Sequence, residues 1–130
     1  MEPINWLAVI LGLAAGLLLA MVWYGLLVKA DGDNASLESR RSGDWWMAAL
    51  VLLIGSAMLG HNFARIGADT LEAKPWLYFM QAGGIALAFV VPAVWLTSLR
   101  AGLTRRARLA ECGYWLAAYL AIGAVFWALG

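Results

Sequence analysis

Long apolar runs alternate with short polar segments along the whole chain. Four runs hold about 20 residues without a charged side chain, which is the length that a helix needs to cross the ~30 Å hydrocarbon layer of a bilayer. We expect the helix of the fourth run to begin a few residues before its uncharged part. The pattern predicts an all-α fold, an integral membrane four-helix bundle, in a single transmembrane domain over residues 1–130, with spans at about 4–28, 45–64, 76–99 and 109–129.

Composition supports lipid as the solvent for this excess of apolar surface. The 130 residues are 64% hydrophobic and 13% charged, whereas soluble domains average about 25% charged residues. A small soluble domain keeps too large an exposed fraction to hide so much apolar surface. The net charge is +1 and the basic residues lie in separate loops, so we expect no nucleic-acid partner.

Tryptophan placement supports the same boundaries. Tryptophan and tyrosine favour the bilayer interface, where one part of the ring is apolar and the other is wet. All eight tryptophans lie near the end of a predicted span: Trp6, Trp23, Trp45, Trp46, Trp76, Trp95, Trp115 and Trp127.

Basic residues in the loops predict the orientation. The first and third loops carry seven, Lys29, Arg40, Arg41, Arg100, Arg105, Arg106 and Arg108, and the second carries two, Arg65 and Lys74. Cytoplasmic loops are the ones enriched in lysine and arginine. The sequence therefore predicts cytoplasmic first and third loops, with both termini on the outer, periplasmic side.

Small residues at four-residue spacing predict helix-packing ridges, because close approach drives helix association in lipid. Span two offers Ser56, Gly60 and Ala64, and span three offers Gly84 and Ala88. The ridges of spans one and four are Ala8, Gly12, Gly16, Ala20 and Gly113, Ala117, Ala121. Whether the first ridge packs within the chain or against another chain stays open at this point. Pro92 predicts a bend in span three, or more specifically a hinge.

Polar residues inside the spans are few. No charge lies near a midplane, which counts against a proton- or cation-coupled transporter. Glu111 lies one turn from Arg108, so we expect an interfacial ion pair. Gln81 and Ser56 are candidate intramembrane contacts, and we favour interhelical hydrogen bonds for both over a role in lining a path.

His61, with Asn62 and Arg65, is the candidate ligand or pigment contact. A neutral imidazole beside small residues is able to act as an axial ligand to haem or bacteriochlorophyll. The favoured interpretation is an interfacial histidine bonded to a backbone carbonyl or a lipid head group, beside an arginine that snorkels to the interface. We accordingly expect no cofactor.

Catalytic and metal-binding motifs are missing from the sequence. It contains no serine–histidine–aspartate set with supporting motifs, no glycine-rich phosphate loop and a single cysteine, Cys112. We expect neither an enzyme nor a metal site.

Short elements in three spans resemble a known family. They are Ile4-Asn5-Trp6-Leu7-Ala8-Val9 and Trp23-Tyr24 in span one, Phe89 to Trp95 with Pro92 in span three, and Cys112-Gly113-Tyr114-Trp115-Leu116 with Gly123-Ala124 in span four. Together they are similar to the bacterial small membrane proteins called domain of unknown function 1761. Members often continue from Trp-Tyr into Ser-Pro, whereas Gly25-Leu26 follows here. The resemblance implies a bacterial inner-membrane protein of about four spans, and it implies no activity or site residue.

Three functional hypotheses follow. The first is an accessory or scaffolding subunit of a larger respiratory, photosynthetic or transport complex, favoured by the small-residue ridges and the missing chemistry. The second is a homo-oligomeric small-solute transporter or channel. The third is a pigment- or haem-binding protein that uses His61. The expected partners are the lipid bilayer and either other membrane subunits or further copies of the chain.

Overall fold

The computed structural model describes residues 3–28 and 45–130, and these residues form helices without any strand. The first-loop residues Lys29, Arg40 and Arg41 lie outside the described residues. The helices are α1 (Trp6–Val22), α2 (Trp45–Ile66), α3 (Ala68–Ala73), α4 (Trp76–Ile85), α5 (Val91–Arg100) and α6 (Arg105–Leu129). A π-helical turn at Trp23–Val28 continues α1, and another at Ala86–Val90 joins α4 to α5.

Four helical segments are long and apolar enough to cross a membrane. We call them spans one to four: Trp6–Gly25, Trp45–Ile66, Trp76–Arg100 and Arg105–Leu129. The predicted all-α four-helix fold is confirmed, and the chain is a multi-pass membrane protein.

Side-chain caps fix two of the helix starts. The Asn5 Oδ1 accepts a hydrogen bond from the Ala8 N–H at 3.1 Å, and the Thr104 Oγ1 accepts one from the Ala107 N–H at 3.2 Å. Both satisfy first-turn donors that have no partner within the helix. The helix of span four therefore begins at Arg105, four residues before the predicted start, because its first turn is charged and lies ahead of the apolar run.

Span three contains a π-helical turn at Ala86–Val90, two residues before Pro92, where the sequence predicts a bend. The Val91 N–H donates to the Ala86 carbonyl, five residues back. Proline has no N–H to continue the regular helical ladder, and π-bulges are among the recognised causes of helix bending. The wider turn thus accommodates Pro92 without breaking the span.

Spans one and four form the centre of the bundle. Span two packs mainly on span one, and span three packs mainly on span four. The largest completely buried side chains are Val9, Leu52, Ser56, Leu59 and Ile122. These residues bring spans one, two and four together at the middle of the bundle.

The outside of the bundle is apolar. Large side chains such as Leu18, Ile54 and Leu109 are exposed, and Phe89 exposes 72% of its surface. Every span exposes apolar side chains. These side chains are stable in contact with hydrocarbon, whereas their exposure to water is unfavourable.

Candidate functional site

Two of the elements that carry the family resemblance meet where span one ends and span four begins, which we call the Arg105 end of the bundle. The indole Nε1 of Trp23 donates to the carbonyl of Ala110 at 3.0 Å. The same ring covers Gly113, where an added Cβ would lie 3.0 Å from the indole. Gly113 therefore lets the Trp23 ring lie against the helix backbone of span four.

Two tyrosines complete this junction. The Tyr24 hydroxyl donates to the Glu111 carboxylate at 2.7 Å, and the Tyr114 hydroxyl donates to the Gly16 carbonyl at 3.0 Å. The centroids of the two tyrosine rings lie 5.4 Å apart, a distance at which aromatic pairs attract. We call Trp23, Tyr24, Glu111, Gly113 and Tyr114 the Tyr24–Tyr114 cluster.

The hydrogen bonds of this cluster join two helices. The hydroxyl and indole donors are directed at acceptors on the facing span, so they join spans one and four. The Cys112 thiol adds a long contact of 3.7 Å to the Val91 carbonyl, which ties in span three. Within residues 3–28 and 45–130, no group of three histidine, cysteine or acidic side chains is placed to hold a metal ion.

Arg108 does not pair with Glu111 in the structure. Its Nη1 donates to the Leu103 carbonyl at 2.7 Å, and its guanidinium carbon lies 4.8 Å from the centre of the Trp95 ring. The expected ion pair gives way because the guanidinium stacks on an aromatic face that the α5–α6 turn brings close.

The predicted ridge of span one lies inside this chain. Ala8, Gly12 and Gly16 are buried and Ala20 is half-buried. A Cβ added at Gly12 would lie 2.6 Å from the Ser56 Oγ, and one at Gly16 would lie 2.8 Å from Leu52. The ridge thus receives span two, and its first turns also contact span four through Ile122.

The ridge of span four is displaced by one residue from the predicted one. Ala117 and Ala121 are half-buried, whereas Ala118 and Ile122 are completely buried. Small-residue spacing missed this stripe because its members differ in size.

Gly123 is a close contact that the sequence reasoning also missed. A Cβ there would lie 2.9 Å from the Ala82 Cβ and 3.0 Å from the Tyr78 carbonyl oxygen. The Gly123-Ala124 element of the resemblance pointed to this position without indicating its partner.

The candidate ligand residues of span two lie outside the fully buried core. His61 and Asn62 are half-buried and Arg65 is exposed, while Phe63 and Ala64 on the inner side are buried. Within the described part of the chain, no hydrogen bond to the His61 ring is present and no second ligand side chain joins it. The structure places the half-buried imidazole at the His61 end, the end of the bundle opposite Arg105.

Ser56 and Gln81 are not brought together. The Ser56 hydroxyl is completely buried and donates to the Val9 carbonyl at 2.9 Å. Gln81 is half-buried on span three, and its amide makes no hydrogen bond to another described residue. Ser56 thus acts as an interhelical contact between spans one and two.

The small residues of span three are placed differently from those of span one. The buried residues of this region are Tyr78, Ala82, Gly83 and Ala86. Gly84 and Ala88 are exposed, and a Cβ added at Gly84 would meet nothing within 4 Å. We call the outer surface formed by Gln81, Gly84 and Ala88 the Gly84 face.

A half-open cavity of about 610 Å³ lies at the His61 end. Phe63, Tyr78 and Phe126 form its aromatic wall, with Phe63 centred 4.9 Å from Tyr78 and 5.2 Å from Phe126. Glu72 of α3 also lines it. His61 is absent from its lining, so the cavity and the candidate ligand residues are separate features.

Comparison with known protein families identifies a match over nearly the whole chain. The family described as "Protein of unknown function (DUF1761)" matches residues 7–127. No curated protein and no solved structure matches the chain.

Proposed function

The chain belongs to the DUF1761 family, whose function is unknown. From the exposed surface of the chain, we propose that the protein is an accessory or scaffolding subunit. A transmembrane helix of a larger membrane complex docks on its Gly84 face. The observation that carries this proposal is the exposure of Gly84, where an added Cβ would meet no atom of the described residues within 4 Å.

Glycine at this position serves no close contact within residues 3–28 and 45–130. A glycine inside a helix costs about 1 kcal/mol relative to alanine. At Gly12, Gly16 and Gly123 that cost accompanies a close approach of a neighbouring span. At Gly84 no described neighbour comes close, which favours a helix from outside the chain as the partner of this surface.

The surroundings of Gly84 suit such a helix. In lipid, helices associate through close packing of small residues and through polar side chains that bond across the contact. Ala88 continues the small surface by one turn, and Gln81 supplies an amide at about one turn in the other direction. Met80 and Leu87 are both exposed beside it and provide apolar flanks.

The alternative occupant of this face is a second copy of the chain, as a homo-oligomeric transporter or channel requires. Native mass spectrometry after gentle extraction from the source membrane distinguishes the two. Foreign subunits bound in fixed ratio to the 14.1 kDa chain support the accessory role. Assemblies whose mass is only a multiple of 14.1 kDa would contradict it and favour self-assembly.

Two variants test the face itself. Gly84→Leu and Ala88→Leu each place a large side chain on the Gly84 face. Each variant is expected to release the partner while the chain stays folded. Ala93→Leu is the matched control for Ala88→Leu, because it makes the same substitution at an exposed position outside the Gly84 face. Retention of the partner by both Gly84→Leu and Ala88→Leu would show that the docking surface lies elsewhere.

A further inference from the structure

The turn between spans three and four concentrates positive charge at the membrane boundary. Four arginines occur within residues 100–108, and no acidic residue lies between them: Arg100, Arg105, Arg106 and Arg108. The nearest acid along span four, Glu111, accepts a hydrogen bond from Tyr24. Residues 100–108 therefore contribute positive charge and no negative side chain at this end of the bundle.

The backbone of the turn holds these side chains at one end of the bundle. The Gly102 N–H donates to the Leu99 carbonyl and the Leu103 N–H to the Ser98 carbonyl, both at 3.1 Å. Gly102 has a φ of +79°, a backbone conformation that glycine adopts readily. This tight connection places Arg100, the last residue of α5, at the same level as Arg105, the first residue of α6.

Arg108 is held in a defined position beside them. The contacts to the Leu103 carbonyl and the Trp95 ring fix its guanidinium group. Its Nε is enclosed by protein atoms and has no hydrogen-bond partner among the described residues. No described acidic side chain pairs with Arg108, and a partly buried charge is stabilised by a nearby anion.

The helix itself reinforces the positive potential. The amino terminus of a helix carries a partial positive charge and favours acidic residues in its first turn. The first turn of α6 holds no acidic residue, and it begins with Arg105 and Arg106. Arg100 and Arg105 are exposed and make no ion pair with another described residue.

We propose that Arg100, Arg105 and Arg108 form a binding site for the phosphate group of an anionic phospholipid. Arg108, fixed on Trp95, supplies the inner positive charge, and Arg100 and Arg105 contact the phosphate from the water side. Basic pockets between membrane helices are suited to anionic head groups, and the guanidinium fork matches phosphate oxygens. This site is independent of the Gly84 face.

The test is native mass spectrometry of the purified full chain in mild detergent, titrated separately with phosphatidylglycerol and phosphatidylcholine. We expect preferential binding of phosphatidylglycerol. Each arginine near a membrane surface contributes enough to change affinity about fivefold, so the double variant Arg100→Gln with Arg105→Gln should bind phosphatidylglycerol about 25-fold more weakly. Arg65→Gln with Lys74→Gln is the matched control, because it removes two exposed basic side chains at the opposite end of the bundle.

Arg108→Lys separates geometry from charge. It keeps the charge and loses the planar fork and the stacking on Trp95, so we expect weaker phosphatidylglycerol binding than in Arg105→Lys. The exposed double variant keeps the test decisive if changes at Arg108 impair folding.

Inorganic phosphate distinguishes the two sources of this chemistry. The lipid site predicts that millimolar phosphate leaves the phosphatidylglycerol adduct in place. Displacement of the lipid by phosphate, with a phosphate adduct in its stead, would identify a site for the free ion and overturn the lipid assignment. Equal binding of both lipids by the unmodified chain, or unchanged binding by the double variant, would refute the site altogether.

Discussion

Replacing Gly123 by alanine inserts one methyl group between spans three and four, and replacing Gly84 by alanine inserts the same group into open space. At Gly123 the new Cβ would lie 2.9 Å from the Ala82 Cβ and 3.0 Å from the Tyr78 carbonyl oxygen. The carbonyl is backbone and cannot rotate away, so span four has to move. At Gly84 nothing lies within 4 Å.

These contacts predict opposite signs for the two variants. Overpacking a well-packed contact costs about 1–3 kcal/mol, and alanine regains about 1 kcal/mol of helix propensity relative to glycine. With the upper part of that range appropriate to a backbone neighbour, Gly123→Ala should lower the free energy of unfolding by roughly 1–2 kcal/mol. Gly84→Ala should raise it by up to about 1 kcal/mol.

The assay is reversible unfolding of the purified chain in mixed micelles. Sodium dodecyl sulfate is titrated in, and helix content is followed by circular dichroism with no partner subunit present. The two variants share one chemical change, so errors from the detergent reference state largely cancel in their difference. Equal stability of the two variants, or a more stable Gly123→Ala protein, would refute the assignment of Gly123 to the inside and Gly84 to the outside.

Three further outcomes are expected in the same micelle system. Tyr114→Phe removes the hydrogen bond to the Gly16 carbonyl, and Ser56→Ala removes the hydrogen bond to the Val9 carbonyl. Each variant should lower the free energy of unfolding by about 0.6 kcal/mol, and by at most about 1.7 kcal/mol, as measured for hydrogen bonds between membrane helices. A change within error at both positions would mean that these bonds do not hold the spans together. Cys112 is buried, so maleimide labelling of the folded chain should be slow and should become fast only on unfolding; rapid labelling of the folded chain would contradict this burial.

The sequence alone was sufficient for the four spans. A long uncharged apolar run in lipid has one common solution, a helix that satisfies its own backbone hydrogen bonds. Lengths near 20 residues and tryptophans at the run ends therefore predicted both the number and the approximate limits of the helices. The largest difference is the start of span four, where the helix begins before the predicted residue. Thr104 caps a first turn whose charged residues do not belong to the apolar run.

The resemblance anticipated residues but not contacts. Trp23-Tyr24 and Gly113-Tyr114 stood out in the sequence as separate elements, and the structure places them in one cluster around Glu111. Residues about 90 positions apart meet only because spans one and four pair at the centre. The order of helices in a bundle depends on the packing of all their faces, which no single span encodes.

The spacing of small residues shows most clearly what the sequence predicts and what depends on the packing of the helices. Gly12 with Gly16 and Gly84 with Ala88 look alike in the sequence, since both pairs have a spacing of four. The sequence by itself determined that each span has such a surface. Only the tertiary structure decided that the first surface is covered by Ser56 and Leu52 while the second is open, because helical periodicity fixes which residues share a face, whereas the neighbour on that face is chosen by how the four helices pack together.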